Sequence, residues 1–190
     1  MTQVPEELAA ILNEIDKALN AKLYYLAIAV ALSVPDVCAC LEFDPDKPSW
    51  ANDKTYSAWC DAHLAFNKVA GMDLYRLRCG ILHRGNFEHK KSKFDRVIFI
   101  SPESHFQAHD VIVTVAAGVK FGGIEAEKLG VSGLILHLGV VPFCRAITDA
   151  ARKWSIAKAA DPFVQRNLPN LVRYRPNGIP PYSVGFPAIA

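Results

Sequence analysis

The sequence predicts a mainly α fold carrying a small β insertion at about residues 96–121 and ending in an extended, proline-rich tail. Apolar residues recur at three- and four-residue steps over most of the first 85 residues and again after residue 131, the period of helices with one buried face. Between those stretches lie two short runs rich in branched residues and bounded by turn formers, which is how strands read. Six of the twelve prolines follow Asp161, so the last thirty residues are expected to be neither regular helix nor central strand.

The elements follow in order. Leu8, Ile11, Leu12, Ile15, Leu19, Leu23, Leu26 and Val30 predict one long amphipathic helix from Glu6 to about Leu32. Its second half is apolar nearly all round, which suits the middle of a bundle. Pro35 and Asp36 are expected to end it and start a short helix, and the aspartate-, proline- and lysine-bearing stretch from Phe43 to Lys54 reads as a surface loop. Thr55 to about Val69 carries Tyr56, Trp59, Leu64 and Phe66 on a second helical face. A third helix runs from Leu74 to His83, with Asp73 as its cap and Gly85 closing it in the left-handed conformation. Arg96–Ser101 and Asp110–Val115 read as strands, with Lys120-Phe-Gly-Gly as a turn. Val131 to about Ala159 resumes helix, bent near Pro142. With 190 residues, 51% of them hydrophobic, the chain suffices for one well-buried core. The expected organisation is one helical domain over 1–160 and a tail over 161–190.

A net charge of +2 is too close to balanced to announce a nucleic-acid binder from bulk electrostatics alone, so any anion site must be local. Cysteines 38, 40, 60, 79 and 144 form an odd set without metal-ligand spacing and are expected to be reduced, buried thiols of a cytosolic protein. The start Met-Thr-Gln-Val-Pro-Glu-Glu lacks the basic, then apolar, pattern of a secretory signal; the apolar run Leu23–Leu32 is too short to span a bilayer, and Leu129–Ile147 is broken by His137, Pro142 and several glycines. A cytoplasmic location with no membrane association is expected.

Chemistry concentrates in Leu74-Tyr-Arg-Leu-Arg-Cys-Gly-Ile-Leu-His-Arg-Gly85, which brings a phosphate-pairing cation, Arg78, and a neutral-pH proton carrier, His83, into one element. Five residues turn through about 500° on an ideal helix, leaving the two about 140° apart, so spacing alone does not make a site. A π-bulge near Gly80 would align them; so would a second copy of the helix that sets Arg78 of one chain against His83 of another, which makes a homodimer. An imidazole held there can take the proton of a ribose 2′-hydroxyl while the guanidinium stabilises charge on the phosphate, without a metal or other cofactor. The bland account pairs Arg78 with a carboxylate such as Asp73 or Asp36 and leaves His83 as a cation at a helix C-terminus. Arg84, Lys90, Lys91 and Lys93 follow in the densest basic segment of the chain and would add backbone affinity for RNA.

Arg78-x4-His83 at the end of a helix resembles the R-x(4–6)-H motif of the HEPN superfamily. The resemblance implies an up-and-down helical bundle, commonly dimeric, in which Arg78 and His83 of two protomers line one cleft. It implies a metal-independent endoribonuclease acting by 2′-hydroxyl attack and leaving a cyclic phosphate, in a toxin–antitoxin or phage-defence setting with a cognate antitoxin. Cys79 stands where the family frequently has asparagine or aspartate, and the alternative function is a catalytically silent HEPN-like dimer that binds a nucleotide, RNA or a protein partner. Among other candidates, His105 and His109 have a metal-compatible spacing but no third ligand, and His137 reads as a core histidine. Cys38-x-Cys40 reads as packing. Arg173-Tyr174-Arg175 alternates cation and aromatic in a way suited to stacking on a base or to packing on the body.

Overall fold

A computed structural model of the chain describes residues 3–47, 49–87, 89–116, 118–129 and 133–190. Six α-helices are described: α1 Glu6–Asn20, α2 Tyr24–Leu41, α3 Asp53–His63, α4 Gly71–Arg84, α5 Val140–Ala157 and α6 Pro162–Asn167. Strands β1 Arg96–Ile100, β2 Val111–Val115 and β5 Gly133–Gly139 form a three-stranded sheet; β3 Lys120–Phe121 and β4 Ile124–Glu125 pair as a short ribbon before β5, with further ribbons in the tail. The chain is therefore mainly helical with small sheets.

The expected first helix is two. The chain reverses at Ala21 and Lys22, the latter at φ 60°, and the turn closes when the Leu23 N–H donates to the Ala18 carbonyl at 2.8 Å. That break lets α1 lie against α2, burying Leu8, Leu12, Ile15 and Ala18. α2 contacts α1, α3, α4 and α5, which accounts for its all-round apolar character. By length and composition it could also cross a membrane, but here it is the central helix of the core. Pro35 does not end it. The ring supplies no N–H to the preceding turn, and the buried Tyr56 hydroxyl of α3 donates to the nearby Leu32 carbonyl at 2.9 Å, a tertiary hydrogen bond at the interrupted turn.

The second expected helix is shorter than its apolar pattern. It starts at Asn52, whose side chain caps the Lys54 and Thr55 N–H groups, and stops at His63. α4 starts at Gly71, three residues before the expected position. Asp73 still contributes, since its carboxylate accepts from the Ala70 N–H at 3.1 Å, the reverse arm of a capping box. Gly71 sits where α3 and α4 meet backbone to backbone: a Cβ there would stand 2.2 Å from the Ser57 carbonyl oxygen. Gly85 closes α4 at φ 67°, as the sequence predicts.

The β region differs more. β1 and β2 do not form a hairpin; each pairs with β5, β1 in parallel and β2 antiparallel. β5 lies in the segment expected to be helical, and α5 begins only at Val140, so Pro142 occupies the first turn, where proline is tolerated, instead of bending a long helix. Residues 131 and 132 of that expectation lie outside the described residues. The sheet's inner side, with Phe99, Leu136 and Leu138, packs on α5 through a Phe99–Phe143 contact at 5.0 Å. The tail is not wholly extended. It opens with α6, capped by Asp161, and continues as paired ribbons, β6 Tyr174–Arg175 with β9 Ala188–Ile189 and β7 Gly178–Ile179 with β8 Ser183–Val184.

Burial governs the thiols. No disulfide forms, and Cys38, Cys60 and Cys144 are buried, with burial pushing the Cys144 thiol up to about 12 and the other two above their ordinary value. A thiol without thiolate character is inert. Titration of the native protein with a thiol-reactive disulfide is therefore expected to count at most two fast groups, Cys40 and Cys79, and all five after unfolding. Three or more fast groups in the native state would contradict the packing.

The loop after β1 is tied to the start of α2. The Ser101 and Tyr24 hydroxyls both donate to Glu103, the latter at 2.7 Å, and the Lys22 ammonium lies 3.2 Å away. These groups, Ser101 first, hold the Glu103 carboxyl down at about 2, against an ordinary 4.5. A depressed value means that the tether's contribution is present above about pH 4.5 and is lost as pH falls toward 2. The Tyr24 ring resonances are expected to shift in that window, and the shift to vanish in Glu103→Gln. An unchanged Tyr24 spectrum from pH 5 to pH 2 would show that the tether is not populated.

Candidate functional site

Arg78 and His83 approach each other within one chain. Arg78 Nη1 lies 3.4 Å from His83 Nε2, although α4 is regular α-helix throughout and has no π-bulge. The angular argument holds for the Cα positions, but the long arginine side chain crosses the difference. The contact needs Nε2 as acceptor, which places the imidazole proton on Nδ1 in the neutral ring.

A third residue completes the group. Arg78 Nε donates to Asp36 Oδ2 of α2 at 2.8 Å. Asp36 is half-buried, and burial pushes its carboxyl up, opposed by the Arg78 charge; for Arg78 burial is the largest single influence and lowers the guanidinium, but Asp36 and Cys79 together overcome it and the net direction is up. The two directions describe a pair in which the guanidinium is always charged and the carboxylate gives up some hydration to hold it. The bond through Nε fixes the plane of the fork and leaves both terminal nitrogens free of Asp36. Of the two carboxylates considered from sequence, Asp36 is therefore the partner; Asp73 pairs with Arg76 and Lys93.

The end of α4 is held by α2 as well. The Tyr25 hydroxyl donates to the Ile81 carbonyl at 3.3 Å, one of the last carbonyls of the helix. Around that bond Leu23, just before α2, Tyr25 and Leu26 of α2 and Leu82 of α4 are exposed, so apolar surface borders His83.

The basic residues are placed unevenly. Arg84 is exposed next to His83, and Lys90 and Lys91 are exposed on the turn that follows; none of the three forms an ion pair among the described residues. Lys93 is elsewhere. Its ammonium bonds Asp73 at 2.8 Å and the Lys68 carbonyl at 3.0 Å, at the N-terminal end of α4, about 15 Å of helix from His83. It anchors a loop and does not join Arg78. In the tail, Arg173 pairs with Glu7 at 3.1 Å and Arg175 donates to the Ala190 and Pro169 carbonyls, so both cations are engaged within the body while Tyr174 between them stays exposed. His137 is part-buried in β5 beside Phe106, and its Nδ1 has no hydrogen-bond partner among the described residues. Among those residues no group of three histidine, cysteine or carboxylate side chains is arranged to hold a metal.

Sequence reasoning did not single out Trp50. It is 84% exposed beside α2, near Asp36, in the loop that was read only as surface. Its aromatic type in a polar loop was the available signal.

Comparison with family models, with curated proteins and with solved structures finds no match. The functional reading therefore rests on the side chains themselves.

Proposed function

We propose that the chain is a HEPN-like, metal-independent endoribonuclease whose reacting group is His83 and whose phosphate clamp is Arg78. The observation that carries this reading is the 3.4 Å approach of Arg78 Nη1 to His83 Nε2 at an exposed helix end, with Asp36 setting the plane of the guanidinium. A cation and a neutral imidazole that close together fit the two atoms of one RNA linkage that need them. The guanidinium meets the non-bridging phosphate oxygens, and Nε2 faces the 2′-hydroxyl.

When a phosphate draws the guanidinium toward itself, Nε2 is released as an acceptor. It takes the 2′-hydroxyl proton as the oxygen attacks phosphorus and the bond to the 5′-oxygen breaks; a water molecule protonates that leaving oxygen, and the imidazolium proton neutralises the hydroxide left behind, restoring His83. Products are a 2′,3′-cyclic phosphate and a 5′-hydroxyl. Arg84, Lys90 and Lys91 supply salt-sensitive attraction to the neighbouring phosphates. A second copy of the chain covers Leu23, Tyr25, Leu26 and Leu82, whose exposure beside His83 suits a homodimer with two sites close together. A cognate antitoxin would act by covering the same helix end.

The second reading, a silent module that binds nucleotide, RNA or a protein partner through this surface, draws on the Asp36–Arg78 pair, which already occupies one edge of the guanidinium. Incubation of a mixed RNA pool with the protein in EDTA separates the two. Cleavage lost in both His83→Ala and Arg78→Ala supports the nuclease; no cleavage by the wild type favours the binding module.

A further inference from the structure

A groove of about 410 Å³ runs between the second half of α2 and the start of the tail. Asp36, Val37, Cys40 and Leu41 of α2 form one wall, Asn167, Asn170 and Leu171 the other, and Trp50 stands at the rim. The volume falls within the roughly 300–1,000 Å³ typical of small-molecule sites. Asp36 of the first wall is the residue that holds Arg78 Nε at 2.8 Å, so the groove and the Arg78/His83 pair share a side chain.

The walls are fixed. The Asn167 amide donates to the Leu41 and Phe43 carbonyls at 3.1 and 2.8 Å, latching the tail onto the end of α2. Arg166 forks onto the Asp46 carboxylate at 2.9 and 3.0 Å, joining tail and loop on the same side. Trp50 is followed at once by two anchors, the Ala51 N–H bonded to Cys40 Sγ at 3.3 Å and the Asn52 cap of α3. The indole is therefore positioned on a short tether yet is 84% exposed, which is rare for so large an apolar ring. Asn170 is exposed, and its side-chain amide makes no hydrogen bond among the described residues.

We infer that this groove is a base-binding subsite: Trp50 stacks on one nucleobase of the RNA, the Asn170 amide reads its edge, and the attached phosphate lies toward Arg78. An indole face accepts any base, an amide offers both a donor and an acceptor, and an arginine beyond a shared aspartate supplies the charge that the adjoining phosphate needs. A nucleotide presents those three features together. The inference rests on the reading of Arg78 and His83 as a nucleotide site, and adds to it a preference for a base at one defined neighbour of the scissile phosphate.

The test is equilibrium binding of a fluorescein-labelled hexanucleotide whose 2′-positions are all O-methylated, so that cleavage cannot occur, followed by anisotropy. Trp50→Ala is expected to weaken binding roughly tenfold and Trp50→Phe less than threefold, the scale of losing and of preserving one stacked base. A hexanucleotide with one abasic position at the stacked base is expected to bind the wild type as weakly as the intact one binds Trp50→Ala. Asn170→Ala should change the ranking among oligonucleotides that differ at that base. Equal affinity of wild type and Trp50→Ala overturns the subsite, as does the absence of wild-type binding at 100-fold below physiological salt. Monomers from Trp50→Ala where the wild type is dimeric overturn it too, because the indole would then be an interface residue. Failure of the nuclease reading shows separately, as unmodified RNA that survives the wild-type protein or is cut equally by His83→Ala.

Discussion

Arg78→Ala and His83→Ala are each expected to lower kcat/KM for RNA cleavage by about 10²–10³-fold, the scale for removing one charge-stabilising donor or one general base. Arg78→Lys is the more telling variant. It keeps the charge but replaces a planar fork by a point charge, and it loses the bond from Nε to Asp36 that sets the guanidinium plane, so a loss of at least roughly tenfold is expected. Asp36→Asn leaves an oxygen to accept from Nε and removes only the carboxylate charge; its loss should be smaller than that of Arg78→Lys. Because Arg78→Ala also leaves the half-buried Asp36 without its partner, the thermal midpoint of each variant must be read beside its rate. Rates that fall only in proportion to folded protein would mean that Arg78 is a structural ion pair and nothing more.

Gly71→Ala is expected to be the most destabilising small substitution in the helical core. A methyl there meets the Ser57 carbonyl oxygen at 2.2 Å and two further backbone atoms of Ser57 at 2.8 Å, and backbone in the middle of α3 cannot step aside as a flexible side chain can. Separation of α3 from α4 should cost about 3 kcal/mol, or a fall in Tm of roughly 6–12 °C for a chain of this length. Gly85→Ala provides the contrast. Nothing lies within 4 Å of a Cβ at that position, and the cost is only that of a left-handed conformation, about 1 kcal/mol. A Gly71→Ala protein as stable as the wild type would mean that α3 and α4 do not pack at backbone contact.

The two glycines also show what a sequence can and cannot announce. Gly85 was legible, because a glycine just after an apolar periodic stretch has a local meaning. Gly71 was not, because its reason lies fourteen residues away at Ser57. The same division runs through the fold. β1 and β2 were legible as short branched runs, yet their pairing was not, since the central strand β5, Gly133–Gly139, is flanked on both edges and reads as an apolar run, broken only by His137, that merges into α5. The α1/α2 turn escaped notice because Lys22 takes a positive φ with no glycine or proline to mark it. Pro35 reads as a stop in the sequence, but the surrounding core carries α2 through it. At the site, Arg78 and His83 were found by residue type and Asp36 by its place after the first helix. What spacing could not give was the reach of the arginine side chain, which brings the two together without a bulge or a second chain.

The central claim is that Arg78 and His83 cut RNA by in-line attack of the 2′-hydroxyl. The most direct measurement is the chemical identity of the ends produced by the wild-type protein on a defined single-stranded RNA in EDTA, with His83→Ala alongside. The account predicts 2′,3′-cyclic phosphate and 5′-hydroxyl ends from the wild type and intact RNA from the variant. Ends bearing a 5′-phosphate, or the same products from His83→Ala, would contradict it.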